Sequence, residues 1–344
     1  MEKLEALASI ARLSDHVVRV LGQNPGKFTL QGTNTYIVGK QNPYTLIDTG
    51  EGKEEYLPVL EKALRDTVES PNKDQPIISD IIISHWHHDH VEGLPGVLNL
   101  LRKMWDEQKP GYSAHYKPPR LHKFPIPTGF TPPSAFYTLP SFTERLPKDL
   151  YTSSPDGEVF HRLHDSQIVT SSSIRVLHAP GHTVDSVCLY IPQDRALYTA
   201  DNVLGQGTAV FEDLGVYLKS LGKMLEYGRD DEGHYDVLYP GHGPVIIEGR
   251  EVISTYIKHR LEREEQVLSL LKSTPPDEPA SVDASGSEQA WTTWTLVTKL
   301  YAAYPEPLWL PAARGIDLHL RKLEAEGRVK RLGGDGKDTR WQFV

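Results

Sequence analysis

Short runs of β-branched and aromatic residues alternate with helical periodicities along most of the chain. His16–Leu21, Thr35–Val38 and Tyr44–Ile47 are bounded by Gly, Asn and Pro, which predicts three strands. Tyr56, Leu57, Leu60, Leu64 and Val68 recur near helical spacing, so Glu54–Val68 is expected to be an amphipathic helix. Ile77–Ile83 predicts a strand that runs straight into Ser84, His85, Trp86 and His87, and Leu94–Trp105 resumes a helix. A second set follows, with strands at Ile174–Leu177, Val187–Ile191, Ala196–Tyr198 and Val237–Tyr239, and helices at Phe211–Leu225 and Ile247–Leu271. Two such sets suggest stacked α/β halves with the strands inside.

Two segments break the rhythm. Lys109–Pro147 holds nine of the 26 prolines, which excludes a regular helix and predicts a long loop, either an expanded surface loop or a lid over an active site. Residues 273–289, rich in Pro, Ser, Asp and Glu, read as a linker. Beyond it, helices at Thr292–Tyr301 and Arg314–Glu326 precede two short strand-like runs, a pattern that suggests a small winged-helix-like module at 290–344. The expected domains are thus a large α/β unit over 1–272, with its insertion at 109–147, then the linker at 273–289 and the module.

Composition narrows the function. The 344 residues are 38% hydrophobic and 24% charged, enough to bury a core without cross-links. A net charge of −9 argues against broad phosphate-backbone binding, although Lys117, Arg120, His122 and Lys123 suggest a basic patch within the insertion. The tail from Arg314 to Arg340 holds eight basic and five acidic residues. The single Cys188 rules out disulfide frameworks and thiolate metal clusters. Met1–Arg12 lacks the apolar stretch of a secretory signal, and no run is long enough to span a membrane, so a cytoplasmic location is expected.

The chemistry centres on His85, Trp86, His87, His88, Asp89 and His90. Four histidines and an aspartate at a strand end have no packing rationale, and buried imidazoles need partners. Alternation puts His85 and His87 on one side, where both could donate nitrogen to one divalent ion, while Asp89 and His90 would face a second. Three more metal-capable residues follow predicted strands: His182 after Pro180 and Gly181, Asp201 after Thr199 and Ala200, and His242 between Gly241 and Gly243. Small neighbours let the backbone approach closely there.

In this order the set resembles the metallo-β-lactamase superfamily, to which Asp48-Thr49-Gly50 at a strand end also corresponds. The resemblance implies an αββα sandwich with two metals at the strand edges. It implies that His85, His87 and His182 hold the first ion, that Asp89, His90 and His242 hold the second, and that Asp201 bridges. No cysteine stands at a ligand position, unlike lactamases that use a thiolate, which argues against antibiotic hydrolysis. Asn24–Tyr36, Asp201–Gly205 and Gly207–Leu214, with the C-terminal module, resemble the lactamase-beta-2-like group. That group contains an animal mitochondrial endoribonuclease and fungal thioesterases that release aromatic polyketides from a carrier protein. Asn202, Glu51-Gly52-Lys53 and His88 look more like the fungal members. Ala200 stands where the group has Gly, and Val91-Glu92-Gly93 replaces a small-Gly-Gly run.

The resemblance implies a hydrolase of ester or thioester bonds with two divalent ions, zinc foremost and manganese or iron also suited to nitrogen and oxygen donors. Asp89 is the expected acid/base group, and an acyl-carrier domain is the expected partner. Three readings compete with the carrier thioesterase: an endoribonuclease, a glyoxalase-II-like hydrolase of small thioesters, and a binding module that keeps only the fold.

Overall fold

The computed structural model describes residues 4–108, 115–132, 139–169, 172–229, 233–275 and 290–344. The chain divides into two compact units, Met1–Phe211 with Lys219–Ile253, and Glu212–Leu218 with Ser254–Val344.

The first unit contains two sheets. Seven strands lie in sequence order in the first: β1 (Ile10–Arg12), β2 (Val17–Leu21), β3 (Asn34–Val38), β4 (Tyr44–Ile47), β5 (Ile78–Ile83), β6 (Arg120–Lys123) and β7 (Phe160–Arg162). The pairs from β1 to β4 are antiparallel and those from β4 to β7 parallel. The second sheet runs β12-β11-β10-β9-β8, formed by β8 (Ile168–Val169), β9 (Ile174–His178), β10 (Val187–Ile191), β11 (Ala196–Ala200) and β12 (Val237–Pro240). Only β11 and β12 are parallel in it.

The period of two along each strand sorts side chains between layers. Val17, Tyr36, Val38, Ile47 and Ile82 of the first sheet join Val176, Val187, Leu189, Tyr198 and Tyr239 of the second in one buried cluster. Their neighbours Val18, Ile37, Leu46, Ile81 and Ile83 face the other way. There they pack with Tyr56 and Leu60 of α1 (Tyr56–Lys62), whose last turn widens into a π-helix over Ala63–Thr67. After the short α2 (His88–Val91), α3 (Leu94–Gln108) adds Leu94, Val97, Leu98, Leu101 and Met104 to that layer. Each such side chain contributes about 1.5–3 kcal/mol on burial.

The insertion is not a continuous loop. Arg120–Lys123 pairs in parallel with both β5 and β7, and α4 (Leu139–Thr143) is helical. The prolines at 118, 119, 125 and 127 flank β6 rather than interrupt it. Nor do its cations make a basic patch. Arg120 forms two hydrogen bonds to the buried Asp80, His122 Nε2 lies 2.7 Å from the same carboxylate, and Lys123, 4% exposed, is paired with the buried Asp185. Residues 109–114 and 133–138 of the insertion lie outside the described residues, as does 276–289 of the expected linker.

α5 (Leu214–Glu226) and α6 (Gly249–Leu271) each contribute residues to both units. The second unit further holds β13 (Trp291–Thr292), α7 (Thr293–Leu300), α8 (Trp309–Ala325), β14 (Val329–Gly333) and β15 (Arg340–Phe343). α7 starts on a capping box in which Thr292 Oγ1 accepts the Thr295 N–H. The three strands form an antiparallel sheet, β13-β15-β14, over a core of Leu296, Ile316, Leu320, Leu323 and Trp341. This is the winged-helix arrangement; α8 begins at Trp309, a turn and more before the Arg314 expected from periodicity.

Candidate metal centre

Two parallel strand pairs, one in each sheet, aim their C-terminal ends at one place. β4 delivers Asp48 and its neighbour β5 delivers Ser84 to His90; β11 delivers Asp201 and its neighbour β12 delivers His242. Parallel pairing forces this, because adjacent strands then end on the same edge. The turn from β9 to β10 adds His182. All seven expected site residues come together in two groups, His85, His87, His182 and Asp201, and Asp89, His90 and His242; within each group the donor atoms lie within 4.8 Å of one another.

The first group is a triangle of ring nitrogens. His87 Nδ1 lies 3.1 Å from His85 Nε2 and 3.0 Å from His182 Nε2, and the last two are 3.3 Å apart. Their outer nitrogens fix the tautomers. Ser84 Oγ donates its proton to the Asp48 carboxylate at 2.8 Å, so toward His85 Nδ1, at 2.9 Å, it accepts. His182 Nδ1–H donates to the Val210 carbonyl at 2.8 Å. Both Nε2 atoms therefore carry lone pairs that face the triangle. Burial favours the neutral form of two of them: it pushes His85 well below the usual imidazole range, reinforced by His90, His87 and His182, and pushes His87 down to about 3.

The second group has the opposite electrostatics. Asp89 Oδ2 lies 3.2 Å from His242 Nε2 and 3.3 Å from His90 Nε2, and His90 Nδ1–H donates to Asp48 Oδ2 at 2.7 Å. Burial disfavours charge on His90 and His242. It is outweighed by Asp89, Asp201 and Asp48 around His90, which is raised well above its ordinary value, and by Asp201 and Asp89 around His242, which rises to about 9. Asp89 and Asp201 are conversely held well below the carboxylate range, burial being outweighed mainly by His90 for the first and by His242 and His90 for the second.

Asp201, a member of the first group, also reaches the second. Its Oδ2 lies 3.3 Å from His242 Nε2 and 3.6 Å from His182 Nε2, while Oδ1 is 3.3 Å from His90 Nε2. That Oδ1 is buried without a well-formed hydrogen bond. A buried carboxylate oxygen without a hydrogen bond among metal-capable nitrogens, in a place where the field favours positive charge, fits divalent cations. Glycine makes the approach feasible: a Cβ on Gly241 would lie 2.4 Å from Asp201 Oδ1.

Several groups around these donors carry no signal as ligands. Asp48, the hub of the outer contacts, is visible in sequence only as part of Asp48-Thr49-Gly50. Tyr198 Oη also donates to it. Thr33, at 3.1 Å from Asp89 Oδ2, and the Val210 carbonyl lie in stretches notable only as family signatures. Trp86, 2% exposed, belongs to the core beneath the site.

These features define a metallo-β-lactamase centre, and the chain belongs to the metallo-beta-lactamase superfamily, whose family model matches residues 28–242. The beta-lactamase associated winged helix domain matches residues 292–341. The chain is a hydrolase of this family. It is 34% identical over 325 residues to the Beta-lactamase-like protein 2 homolog of Drosophila melanogaster, covering 94% of this chain and 93% of that one. It is 30% identical over 339 residues to an Atrochrysone carboxyl ACP thioesterase of Aspergillus terreus, covering 97% and 85%, and 37% identical over 272 residues to one of Aspergillus chevalieri, covering 79% and 71%. The fold is shared with a beta-lactamase domain protein from Burkholderia ambifaria, at TM-score 0.65 and 17% identity over 100% of this chain and 96% of that one. No helix among the described residues is long and apolar enough to cross a membrane.

Proposed function

We propose that the chain is a dinuclear hydrolase that releases an aromatic polyketide from the thioester of an acyl-carrier domain. The observation that carries the dinuclear reading is Asp201, whose Oδ2 faces both His182 and His242 while its Oδ1 faces His90. His85, His87 and His182 would hold one ion, Asp89, His90 and His242 the other, and Asp201 both. Two divalent ions, zinc by preference for this nitrogen and oxygen set, supply Lewis acidity to the carbonyl and lower the pKa of water from about 15.7 toward neutrality. The other oxygen of Asp89, Oδ1, would take the proton of the attacking water. Expulsion of a thiolate then needs little help from an acid, because the leaving group is stable as an anion.

The thioester reading draws on the names of the fungal relatives and on two features of this chain. The net charge of −9 opposes a polyanionic substrate. In addition, the apolar residues Phe28 and Val210 are 70% and 58% exposed. Both sit on loops bonded directly to the site, one through Thr33 and Asp89, the other through the Val210 carbonyl and His182. Exposed apolar groups so placed suit an apolar acyl chain. The test presents the zinc-loaded protein with a polyketide-loaded carrier, a small glutathione thioester and a single-stranded RNA in parallel. Release from the carrier, lost in His87→Ala, with RNA intact is expected. RNA cleavage that His87→Ala abolishes, or turnover of the glutathione thioester alone, would overturn the reading.

A further inference from the structure

Asn24, Thr33 and Glu51 lie in stretches that the sequence marks without explaining, and the structure joins them in one hydrogen-bonded line ending at Asp89. Asn24 Nδ2 donates to Glu51 Oε2 and to Thr33 Oγ1, each at 3.0 Å, and Thr33 N–H donates to Asn24 Oδ1 at 2.8 Å. The amide orientation is thereby determined: flipped, its NH2 would face the Thr33 N–H and its oxygen the Glu51 carboxylate. A hydroxyl has one proton. Since Thr33 Oγ1 accepts from Asn24, that proton points to Asp89 Oδ2, at 3.1 Å.

The line is built into the fold rather than laid over it. Thr33 is fully buried and Asn24 is 5% exposed. The backbone of Thr33 bridges to His242, and Asn34 N–H donates to the Gly241 carbonyl, so the hydroxyl is placed relative to the second donor group by main-chain contacts. Gly22 and Gly32 close around the Asn24 amide, where a Cβ on either would come within 2.9 and 3.2 Å of Oδ1. At the outer end Lys53 Nζ pairs with Glu51 at 3.0 Å.

We propose that Thr33 is a positioning residue for Asp89, and that Asn24 acts through it by directing the hydroxyl proton. Asp89 Oδ2 is the oxygen that also faces His90 and His242. Donation from Thr33 selects this oxygen, restrains its rotation and occupies one lone pair, leaving another for a cation. The inference rests on the dinuclear reading of the site but not on the identity of the substrate.

The test measures ion affinity by chelator competition without substrate, beside kcat and KM on the carrier thioester. Thr33→Val keeps the shape and removes the proton. It is expected to weaken the second ion's binding about 10-fold, as loss of an outer contact to a ligand does, with a matching fall in kcat and KM within about 2-fold. Thr33→Ser should restore both. Asn24→Asp leaves Thr33 in place but offers its hydroxyl a competing carboxylate, and so should reproduce Thr33→Val. Wild-type affinity in both Thr33→Val and Asn24→Asp would overturn the proposal, as would loss in Thr33→Ser equal to that in Thr33→Val. A drop in affinity without any carrier-thioester turnover in the wild type would uphold the positioning role and remove only the substrate assignment.

Discussion

Asp48 Oδ2 accepts the Nδ1–H of His90 at 2.7 Å, and the same carboxylate accepts both the N–H and the hydroxyl of Ser84, whose oxygen in turn accepts from His85. One buried carboxylate thus orients an imidazole in each donor group. Its backbone sits at φ 58°, a left-handed conformation that aspartate tolerates better than most residues. Asp48→Asn keeps the volume but turns one acceptor into a donor. Affinity for both ions is expected to fall about 10–100-fold, measured by chelator competition. Loss at one ion only would contradict the shared role.

Backbone constraint beside Asp201 supplies a second expectation. Ala200, which stands where the related group has Gly, adopts φ 47°. Ala200→Gly relieves that strain at the cost of a more flexible unfolded chain, and should leave a net gain of about 0.5–1 kcal/mol in urea denaturation. Gly241→Ala acts in the opposite sense, since its Cβ would meet Asp201 Oδ1. It should lower ion content although no ligand is changed; elemental analysis with two full equivalents would refute the close approach.

The buried pair Lys123–Asp185 ties the end of β6 to the turn that carries His182. Asp185 Oδ1 also accepts from Thr183, the neighbour of His182, at 2.8 Å. Lys123→Met strands a buried carboxylate and should destabilise the chain by about 3–5 kcal/mol. Adding Asp185→Asn removes the charge and keeps the acceptor for Thr183, so the double variant should regain at least half of that loss. A strictly additive double variant would show the pair to be uncoupled.

This pair also marks where sequence reasoning stopped. β2 to β5 and β9 to β12 were legible because β-branched residues alternate there between two buried faces. β6 has a single aliphatic residue, Leu121, and is held by Asp80 and Asp185, 40 or more positions away, so no local pattern announces it. Likewise the seven residues whose donor atoms the fold gathers were legible from residue type and turn chemistry. The Asp48 hub, the Thr33 hydroxyl and the Val210 carbonyl were not, because an outer contact is defined by the fold and a carbonyl has no residue type.

The second unit carries a pH dependence of its own. His319 is 3% exposed, and burial, then the charges of Arg260, Arg263 and Lys322, push it down to about 3. Its folded value lies below the ordinary imidazole value of about 6.5, so the unfolded chain takes up the proton first. The stability it contributes is complete above about pH 6.5 and is lost as pH falls from there toward 3. At pH 5 the loss is about 2 kcal/mol. Urea denaturation at pH 7.5 and 5 should show this decrement in the wild type beyond that of His319→Leu. Equal decrements would rule the group out.

The proposed sharing of Asp201 between two ions is open to direct measurement. Its measurement is the metal content of the purified chain and of Asp201→Ala, by elemental analysis after dialysis against zinc at a concentration that fills only tight sites. Two ions per chain are expected in the wild type, with both depleted in the variant, since its Oδ2 faces His182 and His242 alike. Two ions retained by Asp201→Ala, or one ion lost and the other held at full occupancy, would contradict it.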